Sequence, residues 1–291
     1  MMKTFAKAMV LVLGLWATLA TQVVAQEKTL VMAMSATPKG FDPDIWVPGQ
    51  IEAAVNLYEG LTRYGTRTGA NGKLEVDPSK IEPHLAESWT VSPDGKTYTF
   101  KLKRNVRSPF GNELTSADVV WGWEKSQAQK RTGAFIAKAS SVNKVEAVDR
   151  YNVSFTLDAA SSIFLPALTL YTPSLYDSTE VKKYITAEDP WALKWIDQNT
   201  AGFGAYHLQS LKSGEEAVFV ANPNYFAGKP YYDRVVYKEV PNAGTRFTLM
   251  RTGQVQWVEE LNLKQIAELK KDKRVKVESD EGSGHASVRM N

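Results

Sequence analysis

The chain has 291 residues, 35 Lys and Arg against 32 Asp and Glu, and a formal net charge of +3. So balanced a charge gives no electrostatic reason to bind nucleic acid, and the absence of cysteine excludes disulfides, thiolate metal sites, a cysteine nucleophile and a lipidated cysteine. The length is ample for a globular core and too great for one small domain.

At the amino end, Lys3 and Lys7 precede an apolar run over residues 8–20, and Val23, Val24 and Ala25 put compact residues where a signal peptidase reads. The run is shorter than the roughly 20 residues a membrane-spanning helix needs, so residues 1–25 read as a cleaved secretory signal peptide. Residues 29–34 form a continuous apolar run of strand length, which predicts a strand buried on both faces. In residues 50–64, Ile51, Ala54, Val55, Tyr58 and Leu61 recur at three- and four-residue spacing, which predicts an amphipathic helix. Residues 65–72 are rich in glycine and threonine. They lack the Gly-Lys-Ser/Thr ending of a phosphate cradle and follow no strand, so they read as a surface loop.

The sequence Ser92-Pro93-Asp94-Gly95 is a strong turn: proline presets one backbone angle and glycine accepts a positive φ. After it Tyr98, Phe100 and Leu102 alternate with Thr97, Thr99, Lys101 and Lys103, the period of a half-buried strand, so residues 82–103 predict a β-hairpin. Thr115 with Asp118 three residues on predicts a capped helix whose buried face carries Val119, Val120 and Trp123. A second alternating strand follows at Tyr151, Val153, Phe155 and Leu157. Residues 189–198 look helical, with Trp191 and Trp195 as core anchors. Beyond Gly202 the pattern predicts strands over 217–220, 234–240 and 274–278, with helices over 245–252 and 263–271. Strands and helices alternate without a long run of either, which makes the class α/β.

No catalytic constellation appears. His84, His207 and His285 are far apart and form no His-x-x-x-His or Glu-x-x-His pair, so neither a metal nor another cofactor is expected. There is no Gly-x-Ser-x-Gly elbow or dinucleotide fingerprint. The pairs Glu215-Glu216 and Glu259-Glu260 are adjacent in sequence, and such neighbours point apart in a strand or helix.

Six blocks in order carry a resemblance. Residues 83–103 resemble the "P.LAESW.VSPDGKTYTFKLR" block of the solute-binding proteins of peptide-type ABC importers, the dipeptide and oligopeptide binding family. Residues 56–64 (Asn-Leu-Tyr-Glu-Gly-Leu-Thr-Arg-Tyr) are similar to its "LYEGLTRYD", and residues 111–120 to "DGTPLTAEDVVFS". Residues 202–206 resemble "GTGPY" or "NGAY", residues 222–226 "NPDYW", and residues 251–256 "KSGEVD". Phe110, Phe203, Ala205 and Gln256 depart from the commoner residues at scaffold positions, which bears on subfamily more than on fold.

The resemblance implies a type II periplasmic-binding-protein-like, venus-flytrap first lobe. Residues 26–55 and 198–279 would form its inner subdomain, with 56–197 inserted as an outer subdomain. Residues 280–291 would start a second lobe that is largely absent, since family members run on from a strand matching residues 284–291. The expectation is therefore a binding protein truncated after its first lobe, with reduced or no binding of its own. An exported binder without a lipid anchor belongs in the periplasm, as a monomer that captures a peptide or similar small solute and serves an inner-membrane permease. Ligand identity stays open at this point, because the family also serves nickel chelates, sugars and opines. Phe41-Asp42-Pro43 is similar to the family's "LDP", whose following loop lines the cleft. The implied ligand-binding residues are Trp46, Val47, Pro48 and Gly49, then Phe203 and Gly204 at the crossing back into the inner subdomain, and His285. An inert truncated product and a periplasmic enzyme or chaperone-like module reusing the lobe are the alternatives.

Overall fold

The computed structural model describes residues 27–45, 54, 56–69, 72–169 and 175–277. Two sheets and a ribbon organise them. The first sheet has five strands in the order β11-β1-β10-β9-β8. These are β1 (Thr29–Met34), β8 (Tyr206–Lys212), β9 (Glu216–Ala221), β10 (Arg234–Glu239) and β11 (Trp257–Val258). β1 runs parallel to both β10 and β11, in register from Thr29 opposite Arg234 and Met32 opposite Trp257. β10, β9 and β8 continue antiparallel. Helix α6 (Ala243–Arg251) connects β10 to β11 and packs against β1 and β11, and α7 (Leu263–Leu269) follows. The expectation for β1 is met in part: Ala33 and Met34 are buried, whereas residues 29–32 are half-buried.

The second sheet is antiparallel, in the order β4-β5-β7-β6, from β4 (Ala86–Val91), β5 (Thr97–Leu102), β6 (Val142–Ala147) and β7 (Asn152–Leu157). The hairpin lies where its turn sequence predicts, with Trp89 opposite Phe100 and Val91 opposite Tyr98. Its inward residues Tyr98, Phe100 and Leu102 join Val153, Phe155 and Leu157 in one core, closed by Phe164. Helices α1 (Ser116–Gln129) and α2 (Thr132–Ala139) pack on this sheet. The α1 cap also forms: the Thr115 N–H and hydroxyl both donate to Asp118 Oδ2, at 2.8 and 2.9 Å. Three shorter helices, α3 (Phe164–Ala167), α4 (Ser178–Val181) and α5 (Leu193–Gln198), follow. Trp191 and Trp195 pack against a second core that includes Met34, Tyr58, Trp121, Phe219 and Tyr237.

Three expectations are corrected. Residues 65–68, expected to be part of a loop, are strand: β2 (Thr62–Thr68) pairs antiparallel with β3 (Leu74–Pro83), from Thr62 opposite Pro83 to Thr68 opposite Leu74. The ribbon's outer part buries neither face, so no hydrophobic alternation marks it, and Leu74 and Val76 are exposed. A bulge between Tyr64 and Gly65 lets the partner strand carry Pro78, which has no N–H for a ladder. The helix expected over 50–64 is helical at Ala54, Asn56 and Leu57 and has given way to strand by Thr62. The strand expected over 274–278 is absent from residues 274–277. Arg274 instead grips Asp272 at 2.6 Å, and the Val275 N–H returns to the Asp272 carbonyl at 3.0 Å.

Candidate functional site

In open α/β sheets, ligands are received outside the carboxyl ends of parallel strands. Here β1, β10 and β11 all end on one edge, and the chain is fastened there with unusual thoroughness. The Thr37 N–H and hydroxyl both donate to Glu239 Oε2 at 2.8 Å, which ties the segment after β1 to the last residue of β10. Buried Arg246 donates to four carbonyls, those of Val240 and Pro241 after β10 and of Glu259 and Glu260 after β11, at 2.7 to 3.2 Å. These bonds use donors that would otherwise be an isolated buried charge.

The segment leaving β1 then enters a buried ionic cluster. Asp42, 2% exposed, accepts from Lys125 Nζ at 2.9 and 3.0 Å, and the Lys125 side chain is fully buried. Asp42 also accepts from the Tyr176 hydroxyl at 2.7 Å and from Arg131 at 3.3 Å. Two residues on, Asp44 Oδ1 accepts the Gly133 N–H at 2.6 Å and the Ser126 hydroxyl at 3.2 Å, while Oδ2 has no hydrogen bond and stands 3.9 Å from Lys125. Burial pushes the Asp44 carboxyl above its ordinary value, with Lys125 opposing the shift. Residues 41–45 are thus pinned to α1 and α2, and Ile45 is the last described residue before 46–53. Trp46, Val47, Pro48 and Gly49, like His285, lie outside the described residues.

Phe203 and Gly204 are described. Phe203 is 1% exposed and belongs to the core under the antiparallel sheet. The Gly204 N–H donates to the Leu57 carbonyl at 3.1 Å, and the Gly204 carbonyl accepts from Asn222 Nδ2 at 3.1 Å. Both residues therefore sit at the crossing between the sheets as packing elements, close to the helical turn at Asn56 and Leu57. Sequence reading does not find the Lys125 cluster, because its partners come from separate elements and no local pattern marks them.

His84 Nε2 lies 2.6 Å from Glu59 Oε2, whose other oxygen accepts the Tyr225 hydroxyl at 2.8 Å. His207 Nδ1 is buried without a partner, and burial lowers its pKa. Among the described residues no group of three or more His, Asp or Glu side chains could hold a metal ion, and no helix is long and apolar enough to cross a membrane.

This mixed α/β sheet with a parallel centre, an antiparallel wing and a second sheet inserted between β1 and β8 is the architecture of type II periplasmic binding proteins. The periplasmic binding protein DppA of Helicobacter pylori, solved in complex with the peptide STSA, matches it with a TM-score of 0.71 at 24% identity, over 85% of this chain and 50% of that one. Residues 80–291 match the model of "Bacterial extracellular solute-binding proteins, family 5 Middle". The chain belongs to family 5 of the bacterial extracellular solute-binding proteins. The probable D,D-dipeptide-binding periplasmic protein DdpA of Escherichia coli (strain K12) is 30% identical over 250 residues, covering 85% of this chain and 46% of that protein. The dipeptide-binding protein of the same organism is 26% identical over 269 residues, covering 86% and 48%. The chain spans about half the length of the curated relatives it matches.

Proposed function

We propose that the protein is a substrate-binding component of an ABC import system, which captures a peptide or similar small solute in the periplasm and delivers it to an inner-membrane permease. The observation that carries this reading is the family match over residues 80–291, with relatives that are named as dipeptide-binding proteins. The geometry is in keeping with it. Three charged groups at or beyond the carboxyl edge fasten the chain: Glu239 holds Thr37, Asp42 holds Lys125 and Arg246 holds carbonyls. Such an edge suits holding a solute more than cleaving one.

In this reading Trp46, Val47, Pro48 and Gly49 touch the solute, Trp46 through an indole that offers apolar area and one donor. Phe203, Gly204 and His285 are the other ligand-binding residues of this reading. The partners are a small-molecule or peptide ligand and the permease, and the protein acts as a monomer without a cofactor. Native mass spectrometry of the protein isolated from periplasmic extract should reveal a co-purified solute of peptide size. Trp46→Ala should lose most of that species while the protein stays folded, as thermal denaturation would check. Protein that carries no solute, and instead hydrolyses peptides in a manner abolished by point changes at this edge, would favour the enzyme alternative.

A further inference from the structure

The positive charge of this chain is gathered in one short stretch. Residues 264–276 hold six cations, Lys264, Lys270, Lys271, Lys273, Arg274 and Lys276, against two acids, Glu268 and Asp272. That local excess is larger than the formal +3 of the whole chain, so the remainder carries no net positive charge. All six cations are exposed. The backbone keeps them together. α7 is anchored through Leu269, 3% exposed, and beyond it the Lys270, Lys271 and Asp272 N–H groups turn back onto the Ile266, Glu268 and Leu269 carbonyls at 3.0 to 3.1 Å. Arg274 Nη2 donates to the Arg251 carbonyl at 3.1 Å, which fastens the run to the end of α6.

The kind of cation identifies the kind of partner. Five of the six are lysines, and the one arginine is committed: its guanidinium holds Asp272 at 2.6 and 3.0 Å and draws that carboxyl down to about 2. An engaged guanidinium has little fork left for a specific carboxylate, whereas lysines are flexible point charges suited to a diffuse negative field. Apolar groups stand beside them. Leu263 opens α7 at 86% exposed, two helical turns before Lys270 and one residue before Lys264. Trp257, 49% exposed, shares a hollow with Ile266, Val275 and Lys276. Lysines interspersed with an exposed leucine and tryptophan match the boundary between anionic headgroups and acyl chains.

We propose that α7 and the basic run after it dock on an anionic phospholipid surface, with the lysines among the headgroups and Leu263 and Trp257 entering the boundary beneath them. Each lysine near such a surface contributes about a 5-fold gain in affinity, so the attachment is weak at any one residue and collective over the patch. The proposal goes beyond the solute-binding reading and does not depend on it, since none of these residues belongs to the segments assigned to the solute.

The test is co-sedimentation of the protein isolated from periplasmic extract with vesicles of phosphatidylglycerol and phosphatidylcholine in equal parts, beside vesicles of phosphatidylcholine alone. Binding should be at least about 10-fold tighter on the anionic vesicles and lost at about 1 M salt, where the Debye length is about 3 Å. Lys270→Gln combined with Lys271→Gln should weaken it about 10- to 30-fold. Leu263→Gln should weaken it about 3-fold and leave the salt dependence in place. Lys138→Gln combined with Lys182→Gln removes the same charge from exposed positions on α2 and after α4, and should leave binding unchanged, which separates this patch from net charge. No binding, equal binding to both vesicles, or equal losses from the two lysine pairs would overturn the proposal. So would tighter binding to polyglutamate than to the anionic vesicles, since the partner would then be an acidic protein.

Discussion

Lys125→Met should lower the unfolding free energy by about 3–5 kcal/mol, the range for removing one partner of a buried ion pair. For a chain of this size that is a fall in melting temperature of about 6–15 °C. The reason lies in what is left behind. Asp42 is buried, and without Lys125 its two shortest charged contacts vanish, leaving the Tyr176 hydroxyl at 2.7 Å and Arg131 at 3.3 Å. Arg131 has a third of its side chain in solvent, so it neutralises the carboxylate incompletely. Asp44, 3.9 Å from the same ammonium, loses that buried cation as well. The second change Asp42→Asn should recover part of the loss, because a neutral amide demands less compensation than an unpaired carboxylate. Thermal denaturation of the single and double variants checks both statements. A single variant that melts within about 2 °C of wild type would show that Arg131 alone suffices.

Gly202→Ala should cost about 3 kcal/mol, the upper end of what overpacking does. A Cβ at Gly202 would stand 2.0 Å from the Leu57 carbonyl oxygen, and one at Gly204 would stand 2.5 Å from the Asn56 carbonyl oxygen. Those neighbours are backbone and cannot rotate aside. The strand crossing would have to lift off the helical turn at 56–57, which also breaks the bond from the Gly204 N–H to Leu57. Gly214→Ala is the control: its φ is +78° with nothing within 4 Å of the added carbon, so only the left-handed backbone is penalised, by about 1–2 kcal/mol. Chemical denaturation should rank Gly202→Ala as the more damaging change. The reverse order would mean that the crossing is compliant.

How much of this was legible in the sequence follows from what is local. The Ser92–Gly95 turn and the alternation after it carry their own register, so the hairpin of β4 and β5 is readable residue by residue. The Thr115 and Asp118 pair is equally local. The β2–β3 ribbon is invisible because neither face of its outer part is buried, and a polar strand looks like a loop. Trp121 was missed on α1 because the helix lies between two cores: Val119 enters one and Trp121 the other. The Lys125 cluster could not be read at all. Asp42 and Lys125 are 83 residues apart, and a lysine in an amphipathic helix is taken for its solvent face. The resemblance supplied the family and the cleft segment, whereas the means by which residues 41–45 are held came only from the fold.

The central claim is that the carboxyl edge of the parallel strands faces the solute. Its most direct test is nuclear magnetic resonance of the isotope-labelled chain titrated with the dipeptide Met-Leu. The account predicts saturable shift changes in the amides of residues 35–49 and 202–204 and at Glu239 and Val240, with the antiparallel sheet of residues 86–157 unmoved. Changes confined to that outer sheet, or none up to the solubility of the dipeptide, would contradict it.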